Sequence, residues 1–348
     1  MKLQDRSRAA MRILSVAIVV AAQTPGLTLG AESPSKPEAV IKGDGGTIRL
    51  LVNPSGSQSF PGFVIKRYGL DKKYGFDLQT IPAQTAQSAV VAIQSGGAEI
   101  GAWNWPDAVR MRTAGTKVMG IGPVMKWANT VVVPAKSTIQ SIPELKAKKV
   151  GVIHRTGLDW IVMRAVAQKI YGFNIESELT MQEGAVHLLR GLIEQGQLDA
   201  TIMYNDFTPG MVASGQYRQL LRIKDLVNQL SIPDAPYIIF ATRLDYAATH
   251  PATHPMNIKA FLAAYRDAIG IMNSDDAAWV EAAKTLKIVD PDIVGKFRDQ
   301  TRSLFVPAFS PTAEADIRRT FDVLVGTSGP ALFGMSKLPD DFMTLEYQ

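Results

Sequence analysis

Three stretches of this chain are written twice, in the same order and at nearly the same distance. "IRLLVNPSG" (48–56) returns as "KVGVIHRTG" (149–157), 101 positions on. "KKYGFDL" (72–78) returns as "KIYGFNI" (169–175), 97 positions on. "IQSGGAEIGAWNW" (93–105) returns as "IEQGQLDATIMYN" (193–205), 100 positions on. One such match is easily coincidental; three in register imply two lobes of similar construction. The period is too long for a solenoid, and 348 residues allow two domains of about 150 residues each.

Within each copy, short apolar runs alternate with helical stretches. In the first, "TIRLLVN", "FDLQTIP", "AEIGAWNW" and "KVMGIGPV" read as strands, separated by amphipathic segments closed by glycine. Alternation of this kind implies a parallel-rich sheet covered by helices. The expected fold class is therefore α/β, with two similar lobes. "NTVVVPAKS" (129–137) leaves the first lobe, and "IPDAPYIIFATRLD" (232–245) is placed to return to it, which makes a two-strand hinge. The expected boundaries are 47–132 plus 238–348 for lobe one and 133–237 for lobe two. The helical stretch from "HPMNIKAFLAAYRDAIGIM" onward is expected to wrap back onto lobe one.

The N-terminus reads as a secretory signal over 1–31. A basic start is followed by "ILSVAIVVAA", a break at Pro25 and Gly26, and small residues near Gly30 and Ala31. Ten apolar residues are too few to span a bilayer. Residues 32–46, rich in Pro and Gly, read as a flexible leader. The chain has no cysteine, which excludes disulfides, thiolate metal sites, cysteine nucleophiles and a lipid-modified cysteine. The expectation is a soluble periplasmic protein without stable membrane insertion. The formal charge is +5, of which the first thirty residues supply +3. The remainder is too small, and too poor in interleaved basic and aromatic residues, for nucleic acid.

In open parallel sheets, ligands bind beyond the carboxyl ends of the strands, where helix N-termini favour anions. In lobe one the residues singled out are Ser55, Gly56, Ser57, Gln58, Gln84, Thr85, Trp103, Asn104 and Trp127. In lobe two they are Arg155, Thr156, Gly157, Glu183, Tyr204 and Asn205. Arg155 offers a planar fork for an acid, with Thr156 and Gly157 as a small polar helix entry. Trp103, Trp127 and Tyr204 offer flat apolar surface. Trp103 and Trp105 flank Asn104, so strand alternation sends both to one face and at least one of them to the core. Residues 103–105 and 204–206 are expected to face each other across the cleft.

Other signals are weaker. His250 and His254 have no third ligand nearby, and His154 reads as structural. Ser55 lacks the Gly-x-Ser-x-Gly elbow, and "GGAEIG" lacks the dinucleotide fingerprint in its strand-to-helix position.

"FVIKRYGLDKKYGFDLQ", "AVVAIQSGGAEIGAWNW", "STIQSIPELKAKKVGVIHRTG", "LLRGLIEQGQLDATIMYND" and "YIIFATRLD" together give the chain a family likeness over 47–306. It resembles the periplasmic substrate-binding proteins of ABC transporters, of the nitrate/sulfonate/taurine and thiamine-precursor type. The resemblance implies a type II periplasmic-binding-protein fold that closes on a small-molecule ligand. It implies delivery to a membrane permease with a cytoplasmic ATPase. No cofactor is expected, and a monomer is. It carries ligand contact onto 55–58, 84–85, 103–104, 155–157, Glu183 and 204–205. Family members often have a small or hydroxyl residue where Trp103 stands, which implies an unusually aromatic pocket here.

The leading expectation is capture of a small organic anion, a carboxylate or sulfonate, with Arg155 on the acid and aromatics on the body. The alternative is a pyrimidine amine or other neutral or cationic ligand, held by Glu183, Asp206 and aromatics. Thiamine pyrimidine synthases share the fold, but they depend on a cysteine-rich segment and an active-site histidine. An enzyme is therefore not expected.

Overall fold

The structure, a computed structural model, describes residues 41–83, 86–250 and 254–348. The expected signal segment, most of the leader, and both Gln84 and Thr85 lie outside the described residues.

The first run of elements is β1 (Thr47–Val52), α1 (Phe60–Arg67), α2 (Leu70–Lys73), β2 (Asp77–Pro82), α3 (Ala86–Gln94), β3 (Ile100–Asn104), α4 (Trp105–Thr113) and β4 (Val118–Met125). The second is β5 (Thr130–Pro134), β6 (Lys149–Val152), α5 (Leu158–Lys169), α6 (Ile175–Glu178), β7 (Thr180–Glu183), α7 (Val186–Glu194), β8 (Ala200–Met203), α8 (Thr208–Ala213), β9 (Tyr217–Arg222) and α9 (Ile223–Gln229). The chain ends with β10 (Ile238–Arg243), α10 (Leu244–Thr249), α11 (His254–Ser274), α12 (Asp276–Thr285), α13 (Pro291–Thr301) and α14 (Ala313–Ser328).

The strands form two five-stranded sheets, ordered β2-β1-β3-β10-β4 and β7-β6-β8-β5-β9. Their plans coincide. Three parallel strands are followed by one antiparallel strand and then an edge strand. β5 enters the second sheet straight from β4 of the first, and β10 enters the first sheet after the second is complete. Two lobes joined by two crossing connections result, 126–129 and 230–237.

The repetition extends to single rungs. Leu50 pairs with Ile100 and Leu51 with Gly101; Val150 pairs with Ala200 and Gly151 with Thr201. The repeated Ile-x-x-Gly-x-x-acid has a physical cause at each fixed position. Ile93 and Ile193 are buried anchors on α3 and α7. Gly96 and Gly196 end those helices at φ 70° and 69°, a left-handed cap that favours glycine. The N–H groups of Gly97 and Gln197 then reach back to Ala92 and Leu192 carbonyls, at 2.7 and 2.8 Å. The acids, Glu99 and Asp199, accept the backbone N–H of Arg49 and Lys149, at 2.7 and 2.8 Å, and so lock the starts of β1 and β6. In lobe one Arg49 adds its guanidinium to Glu99.

The C-terminal helices do more than return to lobe one. α11 packs on α1 and α2, and the Tyr265 hydroxyl lies 2.8 Å from the Val124 carbonyl. The outer edge of β4 is covered by bridges to Phe305 and Met343, so that edge is not left open to pair with another chain. α13 packs against α8, and α14 packs against α5, both in the second lobe. α14 also holds lobe one, because Phe321 and Phe333 enclose Trp105 at ring distances of 6.2 Å. The end of the expected leader is pinned: Gly43 and Gly45 donate to Tyr74 and Gly75 carbonyls, both at 2.9 Å, and Asp44 binds the Asn257 amide at 3.0 Å.

Candidate functional site

The carboxyl ends of the parallel strands in both sheets meet around one cleft of about 640 Å³. Of the residues singled out in the sequence, Ser55, Gly56, Ser57, Gln58, Trp103, Asn104, Gly157, Glu183, Tyr204 and Asn205 line it. Trp127, Arg155 and Thr156 do not. Trp127 is buried beside the cleft and stacks on Tyr237 at 5.1 Å. Arg155 is exposed and turned to Glu183: its N–H donates to Oε1 at 3.2 Å, and its Nε lies 3.8 Å from Oε2.

Local sequence explains the walls. Asn53 accepts the Ser55 N–H at 2.9 Å, a side-chain turn directly after β1. Gly56 follows at φ 98°, a conformation open to glycine, which aims its N–H across the cleft. That N–H donates to Asp206 Oδ2 at 3.2 Å. Next to it the Asn205 amide donates to Ser57 Oγ at 3.0 Å and Thr301 Oγ1 at 2.9 Å. Ser55 Oγ lies 3.3 Å from His187 Nε2. Segment 204–206 therefore faces the loop after β1. Trp105 does not take part, because it opens α4 and sits fully in the core.

Trp103 reaches the cleft by way of a missing side chain. Gly101 precedes it on the same face of β3, and a Cβ there would stand 2.2 Å from the Trp103 indole nitrogen. The ring lies flat over the strand, buried, with Nε1 unpaired.

The charge of the lining is acidic. Asp107, Asp159, Glu183 and Asp206 contribute to it; among the described residues no arginine does, and Lys287 is its lysine. Asp107 is neutralised by Arg110. Burial pushes the Asp159 carboxyl up to about 6, against a hydrogen bond from Asn129 that lowers it. Asp206 is 7 % exposed, and burial raises it likewise to about 6. Its Oδ1 has no hydrogen-bond partner. The phenols of Tyr204 and Tyr237 are held above the usual tyrosine range by burial first and by Asp159 next. Asp159 and Asp206, buried and met by neutral amide and backbone donors rather than by a cation, favour a ligand that brings N–H donors or positive charge.

The back wall is the pair of connections between the lobes. Ala128, Asn129 and Tyr237 line the cleft there. Tyr237 N–H donates to the Met125 carbonyl at 3.0 Å, and Lys126 pairs with Asp234 at 2.6 Å. Asn129, Asp159 and Tyr237 are residues that sequence reasoning did not carry into the site. Asp159 belongs to the segment after β6, but an acid in a first helical turn reads equally as a complement to the helix dipole. Asp206 was expected at the cleft with segment 204–206, and as a ligand contact in the cationic alternative.

Two α/β lobes of this strand order, joined by two crossing connections around a cleft, have the periplasmic-binding-protein fold. The alkanesulfonate-binding protein SsuA of Xanthomonas axonopodis pv. citri, solved with MOPS, superposes with a TM-score of 0.68 at 16 % identity, covering 86 % of this chain and 98 % of that one. The periplasmic aliphatic sulphonate binding protein SsuA of Escherichia coli gives 0.63 at 17 %, over 79 % and 90 %. The nitrate-binding protein NrtA of Synechocystis PCC 6803 gives 0.54 at 14 %, over 72 % and 66 %. Residues 58–277 match the family described as NMT1/THI5 like, and the chain belongs to that family. No curated protein sequence matches it.

Proposed function

We propose that the protein is the solute-binding component of an ABC importer, and that its ligand is a small nitrogenous compound, cationic or rich in N–H donors. The observation that carries the ligand class is Asp159: a carboxyl in the cleft, raised to about 6 by burial and met by a neutral amide rather than a cation. Tyr204, Tyr237, Phe207 and Trp103 supply aromatic walls for an organic body or a delocalised cation. The family and the fold support the binding role, since the structural neighbours named above are binding proteins.

The anion reading has less support. Arg155, on which it rests, is exposed and engaged by Glu183 outside the lining. An amine, an amidine or an amino-substituted heteroaromatic ring satisfies the carboxyls; a sulfonate adds to their charge. The remaining parts of the reading are periplasmic location after signal cleavage, delivery to a permease driven by a cytoplasmic ATPase, action as a monomer, and no catalytic turnover. Supporting the last, the cysteine-free chain lacks the segment on which the pyrimidine synthases of this fold depend.

The test is thermal shift and calorimetry against amines, amidines and aminopyrimidines beside carboxylates, sulfonates and nitrate. Stabilisation by the nitrogenous set, lost in Asp159→Asn, is expected. Stabilisation by the acids alone, unaffected by Asp159→Asn, would return the cleft to the anion reading. Consumption of any compound in the panel would make the protein an enzyme.

A further inference from the structure

The two connections between the lobes meet the ligand-facing acid at one side chain. Asn129 lies on the first connection and is 3 % exposed. Its Nδ2 donates to Asp159 Oδ2 at 2.7 Å and to Tyr237 Oη, on the second connection, at 3.3 Å. The two hydrogens of the amide are thereby used, so its orientation is dictated. A flip would set the amide oxygen against a carboxylate oxygen. The backbone is fixed as well, because Ile223 N–H donates to the Asn129 carbonyl at 3.0 Å. One oxygen of Asp159 is bound to the hinge, and the other is left for the ligand.

We propose that Asn129 is the positioning residue of this cleft: it aims the Asp159 carboxylate at the ligand and ties it to both connections, so that capture of a cation and the setting of the two lobes are one event. A cation drawn to Asp159 pulls on a carboxylate that cannot turn without breaking the Asn129 contacts. Because Tyr237 Oη accepts from Asn129, its own hydrogen is free to donate towards the same ligand. Tyr204 after β8, Tyr237 on the second connection, Asp107 on α4 and Asp206 share this corner, and Lys287 lines the same cleft. On Asp159 itself burial acts in one direction and the Asn129 hydrogen bond in the other, so the neutral amide is the group that favours an ionised Asp159.

The ligand arm rests on the nitrogenous reading above; the ligand-free arm does not. The chain has no cysteine, so spin labels at Val91→Cys on α3 and Leu188→Cys on α7, both exposed, report the interlobe distance cleanly. The probe is benzamidine. Asn129→Leu should raise the Asp159 midpoint in ligand-free carboxyl NMR titration by about one pH unit and weaken benzamidine about tenfold near neutral pH. It should also abolish the change in interlobe distance that benzamidine produces in the unsubstituted chain. Tyr237→Phe keeps the Asn129–Asp159 bond; it should leave the midpoint in place and still lose the distance response. An unmoved Asp159 midpoint in Asn129→Leu, or an intact distance response in both variants, overturns the role given to Asn129. Failure of every cation to bind the unsubstituted chain overturns the ligand reading, while the ligand-free titration still decides Asn129.

Discussion

Lobe one and lobe two solve the same folding problem rung for rung, and differ in what they do with the space left over. In lobe one the shared rung is Leu51 beside Gly101; in lobe two it is Gly151 beside Thr201, so the glycine has changed strands. Above Gly101 the vacancy is filled by the Trp103 indole. Above Gly151 it is filled by Thr201 and Leu198, whose atoms would stand 2.4 and 2.8 Å from a Cβ. Lobe one thus presents an aromatic floor with hydroxyls and amides, and its cleft carboxyl, Asp107, is paired. Lobe two presents Asp159 and Asp206, neither met by a cation, beside Glu183, which is engaged by Arg155. Parts fixed by burial and strand pairing repeat; the loops that line the cleft differ.

The comparison can be broken most severely at the swapped glycine. Gly101→Val drives a branched side chain into the Trp103 ring and should destabilise folding by about 3 kcal/mol, read by chemical denaturation. Adding Trp103→Ala should recover part of that loss, and purely additive costs would deny that the two share one space. Next in size is Asp159→Asn, which should weaken a cationic ligand by about thirtyfold while leaving the fold intact. Equal affinity would place recognition in lobe one.

Acidity sharpens the same contrast. Asp159 has its folded value raised from 3.8 to about 6, so between those values the folded state holds a proton that the unfolded state has released. Ligand-free stability should therefore fall as pH rises from about 4 to about 6, and level off above. The lowered carboxyls, Asp77 at about 2 among them, act below that window and with the opposite slope. Melting curves of the unsubstituted chain and Asp159→Asn across this range separate the two, since the variant should lose part of the fall. A bound cation should flatten it. The smallest effect is expected for Arg155→Gln, within about twofold for a cationic ligand, because this exposed pair with Glu183 is solvent-screened. A large loss there would bring the anion reading back.

Much of the architecture could be read before any coordinates. Three repeated blocks and a strict strand–helix alternation leave little freedom in fold class, and the crossing strands were visible as β-rich runs at the end of each half. The loops that meet in the cleft followed from strand direction. Their individual roles did not. Trp127 was expected in the cleft because it follows a strand end, and of Trp103 and Trp105 at least one was expected in the core; which ring turns inward depends on partners far along the chain, Tyr237 for Trp127 and Phe321 for Trp105. Asp159 lies in the segment after β6 that strand direction points to, but which of its oxygens is occupied is decided by an asparagine thirty positions earlier. Burial and pairing of polar groups are properties of assembled surfaces, not of local spelling.

α14 gives the molecule a further property. It grips Trp105 in one lobe and lies along α5 in the other, so the lobes are held by a helix as well as by two connections. A rotation that widens the cleft must move α5 across the ridges of α14 while Phe321 stays wedged. Packed helices slide by exchanging one set of interlocked side chains for the next, not by continuous drift. Opening should accordingly proceed by notches, with a few preferred apertures, as in a ratcheted clasp rather than a swinging door.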